Sequence, residues 1–136
     1  MAEAEEPAEF SVSSGKTIPE TVAFLAERMA RNGYGILGTI DVQKTLKEKT
    51  GKDVGGMTVL DVCSPAHALE AIEKSDTGPL LLPCRLTLQQ DGAKTKVSLL
   101  SPKLLVKMVG DISLENMASA VESELRMILS GLEEEV

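Results

Sequence analysis

Aromatic side chains are almost missing from this sequence. Tryptophan does not occur, and 136 residues include only two phenylalanines and one tyrosine. Proteins that bind single-stranded nucleic acids stack the bases on aromatic side chains, which this chain hardly has. Its core must therefore be aliphatic, and an apolar share of 43% is enough to build one. The length suits one domain.

Clustered positive charge is also lacking. The net charge is -7, and glutamates near the two ends account for all of it: Glu3, Glu5, Glu6, Glu9, Glu133, Glu134 and Glu135. The rest of the chain is neutral, whereas duplex binding requires concentrated Lys and Arg. We therefore expect no nucleic-acid partner. We expect solvated acidic tails at residues 1–8 and 131–136, around a single domain of residues 9–130.

Long apolar runs are absent as well. The longest, Pro79 to Cys84, has the length of a strand, whereas a membrane span needs about 20 residues. The sequence begins MAEAEEPAEF, which has neither the basic nor the apolar segment of a signal peptide. Only two cysteines occur. We expect a cytoplasmic protein with free thiols and no membrane association.

Capping residues mark the predicted helices. Thr17 and Glu20 form a capping box at the start of the first helix, and Asp41 can cap the second. Ser64-Pro65 opens a third helix, and Ser101-Pro102 opens a fourth. A last helix is predicted from about residue 113 to residue 129, with one apolar face that carries Leu114, Met117, Val121, Leu125 and Ile128.

Five strands are predicted between these helices. The strand from Tyr34 to Ile40 contains two glycines, which indicates a bulge or a close approach by a ligand or another backbone. Leu80–Leu88 and Lys94–Leu100 are predicted as the last two strands, with a hairpin turn at Asp91-Gly92. A hairpin requires antiparallel pairing, so the fold class is α+β.

Two stretches of the sequence carry motifs that are informative in combination. One runs from Gly33 to Gly51 and includes Ile-Asp-Val-Gln, and the other runs from Val62 to Cys84 and ends in Leu-Leu-Pro-Cys. Together they resemble domain-of-unknown-function family 302, a set of small prokaryotic proteins, over about residues 9 to 130. The resemblance implies a mostly antiparallel sheet packed against helices, in the TATA-binding-protein-like class. It also implies a homodimer, and it supplies no activity.

The chain departs from the family at three positions. Ser64 and Thr39 stand where Asn and Glu are common, and Arg85 stands where a small polar residue is usual. The polarity of any site that includes these positions is therefore altered. For the homodimer, we expect either a helix that bears methionine or a sheet edge to be covered.

Three side chains could form a soft-metal or ligand site. His67, the sole histidine, follows Cys63 by four residues, and Cys84 lies in the next predicted strand, directly after Leu-Leu-Pro. Thiolate and imidazole suit zinc, copper or haem iron. No paired-cysteine motif occurs, so two buried thiols and a surface histidine are the simpler interpretation. The sequence names no particular cofactor.

Two other interpretations use neighbouring residues. Cys63 could be a nucleophile or redox thiol with His67 as its base, oriented by Asp61 or Glu70. Tyr34, between two glycines, is expected at a rim with its hydroxyl in water, and the alternative is that it covers a pocket.

Three functions therefore remain open at this point. The first is a small binding module that holds a metal or small ligand near Cys63, His67 and Cys84, with Tyr34 beside them. The second is a thiol-dependent enzyme or redox protein that uses Cys63 or Cys84. The third is a structural interaction protein. Whether the chain is an enzyme cannot be decided from these residues.

Overall fold

The structure is a computed structural model that describes residues 7–134. Five strands and five helices follow one another with two short 3-10 helices between them. Their bounds are β1 Glu9–Ser14, α1 Ile18–Arg31, β2 Gly35–Asp41, α2 Val42–Thr50, β3 Met57–Cys63, α3 Pro65–Lys74, a first 3-10 helix Gly78–Leu81, β4 Cys84–Asp91, β5 Lys94–Leu100, α4 Pro102–Val109, a second 3-10 helix Ile112–Leu114 and α5 Glu115–Glu134.

The strands form one open antiparallel sheet in the order β1-β5-β4-β3-β2. The predicted α+β fold with an antiparallel sheet packed against helices is thus confirmed. The bulge predicted near Tyr34 is present, because the register between β2 and β3 shifts between Ile36 and Gly38. The hairpin at Asp91-Gly92 joins β4 to β5, and Gly92 has the positive φ that such a turn requires.

Helices cover one face of the sheet, and an aliphatic core lies between them. Strand residues alternate between the two faces, so every second side chain of β4 and β5 points into this core. The largest fully buried side chains are Leu25, Met29, Leu60, Val62, Leu86, Leu88, Leu99, Leu114, Leu125, Ile128, Leu129 and Leu132. The other face is polar: Ser11 and Ser98 share a 2.9 Å hydrogen bond between their hydroxyls.

The predicted caps begin the helices as expected. The Thr17 hydroxyl accepts a hydrogen bond from the Glu20 N–H, while the Glu20 carboxylate accepts one from the Thr17 N–H. Asp41 accepts from the Lys44 N–H at 3.0 Å, and Ser64 accepts from the His67 N–H at 3.4 Å. Each cap satisfies a backbone donor that the helix itself leaves unpaired.

The prediction of a strand from Leu80 to Leu88 is wrong in its first half. Gly78–Leu81 form a 3-10 helix, and β4 begins only at Cys84. A short apolar run has no periodicity that separates a strand from another buried element, and here the run packs beside α3 instead of joining the sheet.

The last helix begins and ends later than its sequence pattern indicates. Asp111 caps the turn that leads into it, by accepting a hydrogen bond from the Ser113 N–H at 3.1 Å. At the other end α5 continues to Glu134, and Leu132 is only 1% exposed. The domain therefore extends past the predicted boundary at residue 130, because Leu132 continues the apolar face of α5. The tail predicted at residues 1–8 lies mostly outside the described residues.

None of the helices described between residues 7 and 134 combines the length and the apolar content that crossing a bilayer requires.

Candidate functional site

An enclosed cleft lies where β3 ends and β4 begins. Its cavity volume is about 40 Å³, and α3, α4 and α5 form its other walls. All four predicted site residues line it, although they come from separate parts of the chain. The complete lining is Tyr34, Val62, Cys63, Ser64, His67, Ala68, Leu81, Leu82, Cys84, Leu100, Pro102, Leu105, Val106, Met117, Ala118 and Val121.

Local structure explains why these residues meet. Cys63 is the last residue of β3, and the Ser64 cap then turns the chain into α3, whose first turn carries His67. Cys84 is the first residue of β4 and lies opposite Val62 in the antiparallel register. Tyr34 follows the end of α1, where its N–H donates to the Met29 carbonyl at 2.8 Å.

Glu124 on α5 connects two of the four predicted residues. Its Oε1 accepts a 2.8 Å hydrogen bond from the Tyr34 hydroxyl and lies 3.1 Å from His67 Nε2. The Tyr34 side chain is 5% exposed, so the expectation of a rim residue with its hydroxyl in water is wrong. The alternative, that this tyrosine covers a pocket, matches its position.

His67 lies between two carboxylates. Besides Glu124 on the Nε2 side, Glu70 Oε2 lies 4.0 Å from His67 Nδ1, and Glu70 itself pairs with Lys74 at 2.6 Å. Asp61, the other residue predicted to orient this histidine, instead pairs with Arg85 at 3.7 Å on the sheet. The carboxylate in hydrogen-bonding contact with the imidazole is therefore Glu124.

Burial keeps the two thiols and the tyrosine hydroxyl of the cleft protonated. It raises the pKa of the Cys63 thiol, and it raises that of the Cys84 thiol to about 11, with a smaller contribution from Cys63. The pKa of Tyr34 is also raised, first by burial and then by its hydrogen bond to Glu124. At neutral pH both thiols are therefore protonated, and a protonated thiol is a poor nucleophile and a poor metal ligand.

Alkylation kinetics check this state of the thiols. At pH 8, a Cys84 pKa of about 11 gives a thiolate fraction roughly 100-fold smaller than the ordinary pKa of 9.0 would give. We expect iodoacetamide to modify Cys84 in the folded chain about 100-fold more slowly than in the same chain unfolded in urea. Peptide mass spectrometry over time measures both rates. Equal rates would show that burial does not raise the pKa of Cys84, and a faster rate in the folded chain would show that Cys84 is an activated thiol.

A preformed metal centre is not found in the described part of the chain. Within residues 7–134, no group of three or more His, Cys, Asp and Glu side chains is arranged to hold a metal ion. Cys63, His67 and Cys84 share the cleft as lining residues, and metal binding by them stays a prediction.

Two wider grooves lie elsewhere on the surface. One, of about 360 Å³, is bordered by Lys16, Gln43 and Gln90, and the other, of about 350 Å³, by Lys103, Glu122 and Arg126. None of the four predicted site residues lines either groove, so the enclosed cleft is the candidate site.

These features define the class of protein: a small α+β domain with one open antiparallel sheet. An enclosed, mainly aliphatic cleft lies where β3 ends and β4 begins. A family model described as "Domain of unknown function DUF302" matches residues 10–132, so the chain belongs to that family. The resemblance noted from the sequence is thereby confirmed.

A solved structure shares the fold. It is the "uncharacterized conserved protein DUF302 from Bacillus stearothermophilus", which is 28% identical to this chain. The TM-score is 0.85, and the match covers 90% of this chain and 96% of that one. No curated protein matches the chain.

Proposed function

We propose that this protein is a small binding module whose ligand occupies the cleft around Tyr34, Cys63, His67 and Cys84. The observation that carries the proposal is that four residues singled out for their chemistry line a single cavity. They come from β3, α3, β4 and the turn before β2. Enclosed, mainly apolar cavities with a few convergent polar groups are the usual form of small-molecule sites.

The state of the thiols favours binding over thiol chemistry. A nucleophilic cysteine is activated by a neighbouring base or positive charge that lowers its pKa. Here burial raises the pKa of both Cys63 and Cys84. Among the described residues, the ring nitrogens of His67 contact Glu124 and Glu70, and neither hydrogen-bonds to a thiol. We therefore place the thiol-dependent enzyme second to the binding module.

Filling the cleft provides the direct test of this proposal. Ala118 lines the cleft and is 1% exposed, so Ala118→Val adds two methyl groups into its space. We expect a panel of small fragments, screened by ligand-observed NMR, to yield binders to the wild-type chain. The same binders should lose at least tenfold in affinity for Ala118→Val.

A matched substitution supplies the control. Ala23→Val places the same two methyl groups at an exposed position of α1, and binding should be unchanged. Thermal unfolding of both variants shows whether they keep the fold. Fragments that bind Ala118→Val as well as the wild type, or a panel without any binder, would contradict the proposal.

We also propose that the chain forms a homodimer. Three large apolar side chains are strongly exposed on neighbouring short elements: Leu80 is 79%, Met108 73% and Ile112 79% exposed. They lie on the first 3-10 helix, α4 and the second 3-10 helix, and α4 contacts both of the other elements. Exposed apolar surface of this kind commonly marks a protein contact.

Sedimentation at micromolar concentration tests the dimer. We expect a species of twice 14.5 kDa, and we expect the double substitution Met108→Glu and Ile112→Glu to shift it to the monomer. The control is Leu37→Glu on edge strand β2, which is 67% exposed in the wild type and should leave the dimer intact. Dissociation by Leu37→Glu alone would place the interface at the sheet edge, and a wild-type monomer would end the proposal.

A further inference from the structure

The lining of the cleft contains no carboxylate, lysine or arginine from residues 7–134. Eleven of its sixteen residues are aliphatic, and the other five are Tyr34, Cys63, Ser64, His67 and Cys84. A charged ligand would therefore lose its water here without gaining a carboxylate or a basic side chain as its ionic partner, and an unpaired charge is costly to bury.

His67 offers a charged ligand no free partner in either of its protonation states. Its Nε2 lies 3.1 Å from Glu124 Oε1, and its Nδ1 lies 4.0 Å from Glu70 Oε2. Neither glutamate lines the cleft. Both ring nitrogens thus face carboxylates, and a protonated imidazole would already have its counter-charges.

The uncharged polar groups of the lining serve partners within the protein. The Tyr34 hydroxyl donates to Glu124 at 2.8 Å, and the Ser64 hydroxyl accepts from the His67 N–H at 3.4 Å. In the part of the chain that the structure describes, every buried side-chain nitrogen or oxygen has a hydrogen-bond partner. No orphaned polar atom there marks a position for a polar group of a ligand.

The two thiols add to the apolar character of the cleft. Burial raises the pKa of both Cys63 and Cys84, so neither is a thiolate at neutral pH. A protonated thiol is only a weak hydrogen-bonding group and packs as a small apolar one. With Met117, also in the lining, the cleft has three soft sulfur atoms among its aliphatic walls.

We infer that the ligand of the cleft is a small uncharged apolar molecule or group that makes no hydrogen bond to the protein. This inference rests on the proposed binding function and names the class of ligand. Transfer of apolar surface out of water drives such binding, and the aliphatic walls supply the dispersion contacts. Water competes poorly for the cleft, because it needs roughly two to four polar partners.

The size of the cavity limits this ligand to a few heavy atoms. An engineered apolar cavity of about 150 Å³ stays dry and binds benzene or xenon. The cleft has about 40 Å³, so benzene does not enter without displacement of the walls. Xenon or a hydrocarbon of two or three carbons is the size that fits.

Four probes of similar size test the inference on the wild-type chain: propane, ethanol, ethylammonium and acetate. Amide chemical shifts, followed by NMR at constant pH and ionic strength, report where each probe binds and how tightly. We expect propane, dissolved under pressure, to bind in the millimolar range and to shift the signals of Ala68 and Val121. Xenon should shift the same signals, and the three polar probes should bind at least tenfold more weakly than propane.

A change in the polarity of the wall adds a second readout. Val121→Thr replaces one methyl group of the lining by a hydroxyl of similar size, so propane affinity should fall at least fivefold while ethanol affinity does not fall. Val109→Thr is the matched control, because Val109 is 44% exposed on α4 and does not line the cleft. The comparison of the probes needs no variant, so it decides the class of ligand even if Val121→Thr fails to fold.

The outcomes separate this inference from the proposed function. If a polar probe binds at the cleft as tightly as propane, the ligand is not apolar, but the binding function stands. The same holds if other fragments bind at the cleft while propane and xenon do not. If no probe and no fragment binds there, both proposals are overturned.

Discussion

Replacement of Gly78 by alanine is expected to lower the free energy of unfolding by about 3 kcal/mol. A Cβ at this buried glycine would lie 2.2 Å from the Ala71 carbonyl oxygen and 2.7 Å from its carbonyl carbon. Both are backbone atoms of α3, so no side-chain rotation relieves the overlap, and the first 3-10 helix must move away from α3. Thermal unfolding measures the effect, which corresponds to about 10 °C in Tm for a domain of this size.

Gly15→Ala is the control for this substitution. No atom lies within 4 Å of a Cβ built at Gly15, and its φ is not positive, so alanine fits there without strain. We expect its Tm to stay within a degree or two of the wild type. A Gly78→Ala variant as stable as Gly15→Ala would show that the first 3-10 helix does not pack on α3 as described. Because both elements line the cleft, the position of Leu81 would then also be in doubt.

Loss of the Glu122 side chain is the second change with a large expected effect. Glu122 is buried on α5, where it accepts hydrogen bonds from the Ser101 hydroxyl and from the Lys103 N–H, and it lies 3.5 Å from Arg126. Glu122→Ala leaves these donors without their acceptor at the turn from β5 into α4. We expect a loss of about 3 kcal/mol, measured by urea unfolding.

The matched control is Glu27→Ala on α1. Glu27 also pairs with an arginine, Arg31, at 3.7 Å, but its side chain is 75% exposed. Exposed pairs of this kind contribute less than about 0.5 kcal/mol. Equal losses for the two variants would contradict the view that Glu122 fixes α4, the wall of the cleft that carries Val106, to α5.

Local signals were enough to predict most of the secondary structure. The capping box at Thr17, the Asp41 and Ser64 caps and the Asp91-Gly92 hairpin each act within a few residues, so the sequence shows them directly. The error at Leu80 has the opposite cause. Whether a short apolar run becomes a strand depends on what it packs against, and that is decided by α3 and not by the run itself.

The candidate site was predicted only in part, because some of its residues are marked by local signals and others depend on packing between distant elements. Cys63 and His67 stand close to a strand end and a helix start that the sequence marks, so their proximity could be expected. Cys84 was predicted inside a strand, and only the structure shows that it begins one. Glu124 was missed because it lies 57 residues from His67 and 90 from Tyr34. On α5 it is one acid among many, and only the packing of this helix against α3 and its contact with the turn that carries Tyr34 give it a role.

The expectation for Tyr34 was wrong because its hydrogen-bond partner, Glu124, was not recognised from the sequence. Without Glu124, a lone tyrosine hydroxyl has water as its expected partner, which places it at a rim. With the carboxylate 2.8 Å away, the hydroxyl is satisfied inside the protein and the ring can be buried. The glycines around Tyr34 marked the bulge in β2 correctly, but they carried no information about α5.

Chemical-shift mapping of a bound fragment tests the central claim most directly. The account predicts that the amide signals that move on titration belong to residues around the cleft, with the largest changes at Tyr34, Ser64 and His67, and that Ala118→Val abolishes them. Shifts confined to the wider grooves, at Lys16 and Gln90 or at Ser119 and Arg126, would contradict it, because the ligand would then bind away from all four residues on which the proposed function rests.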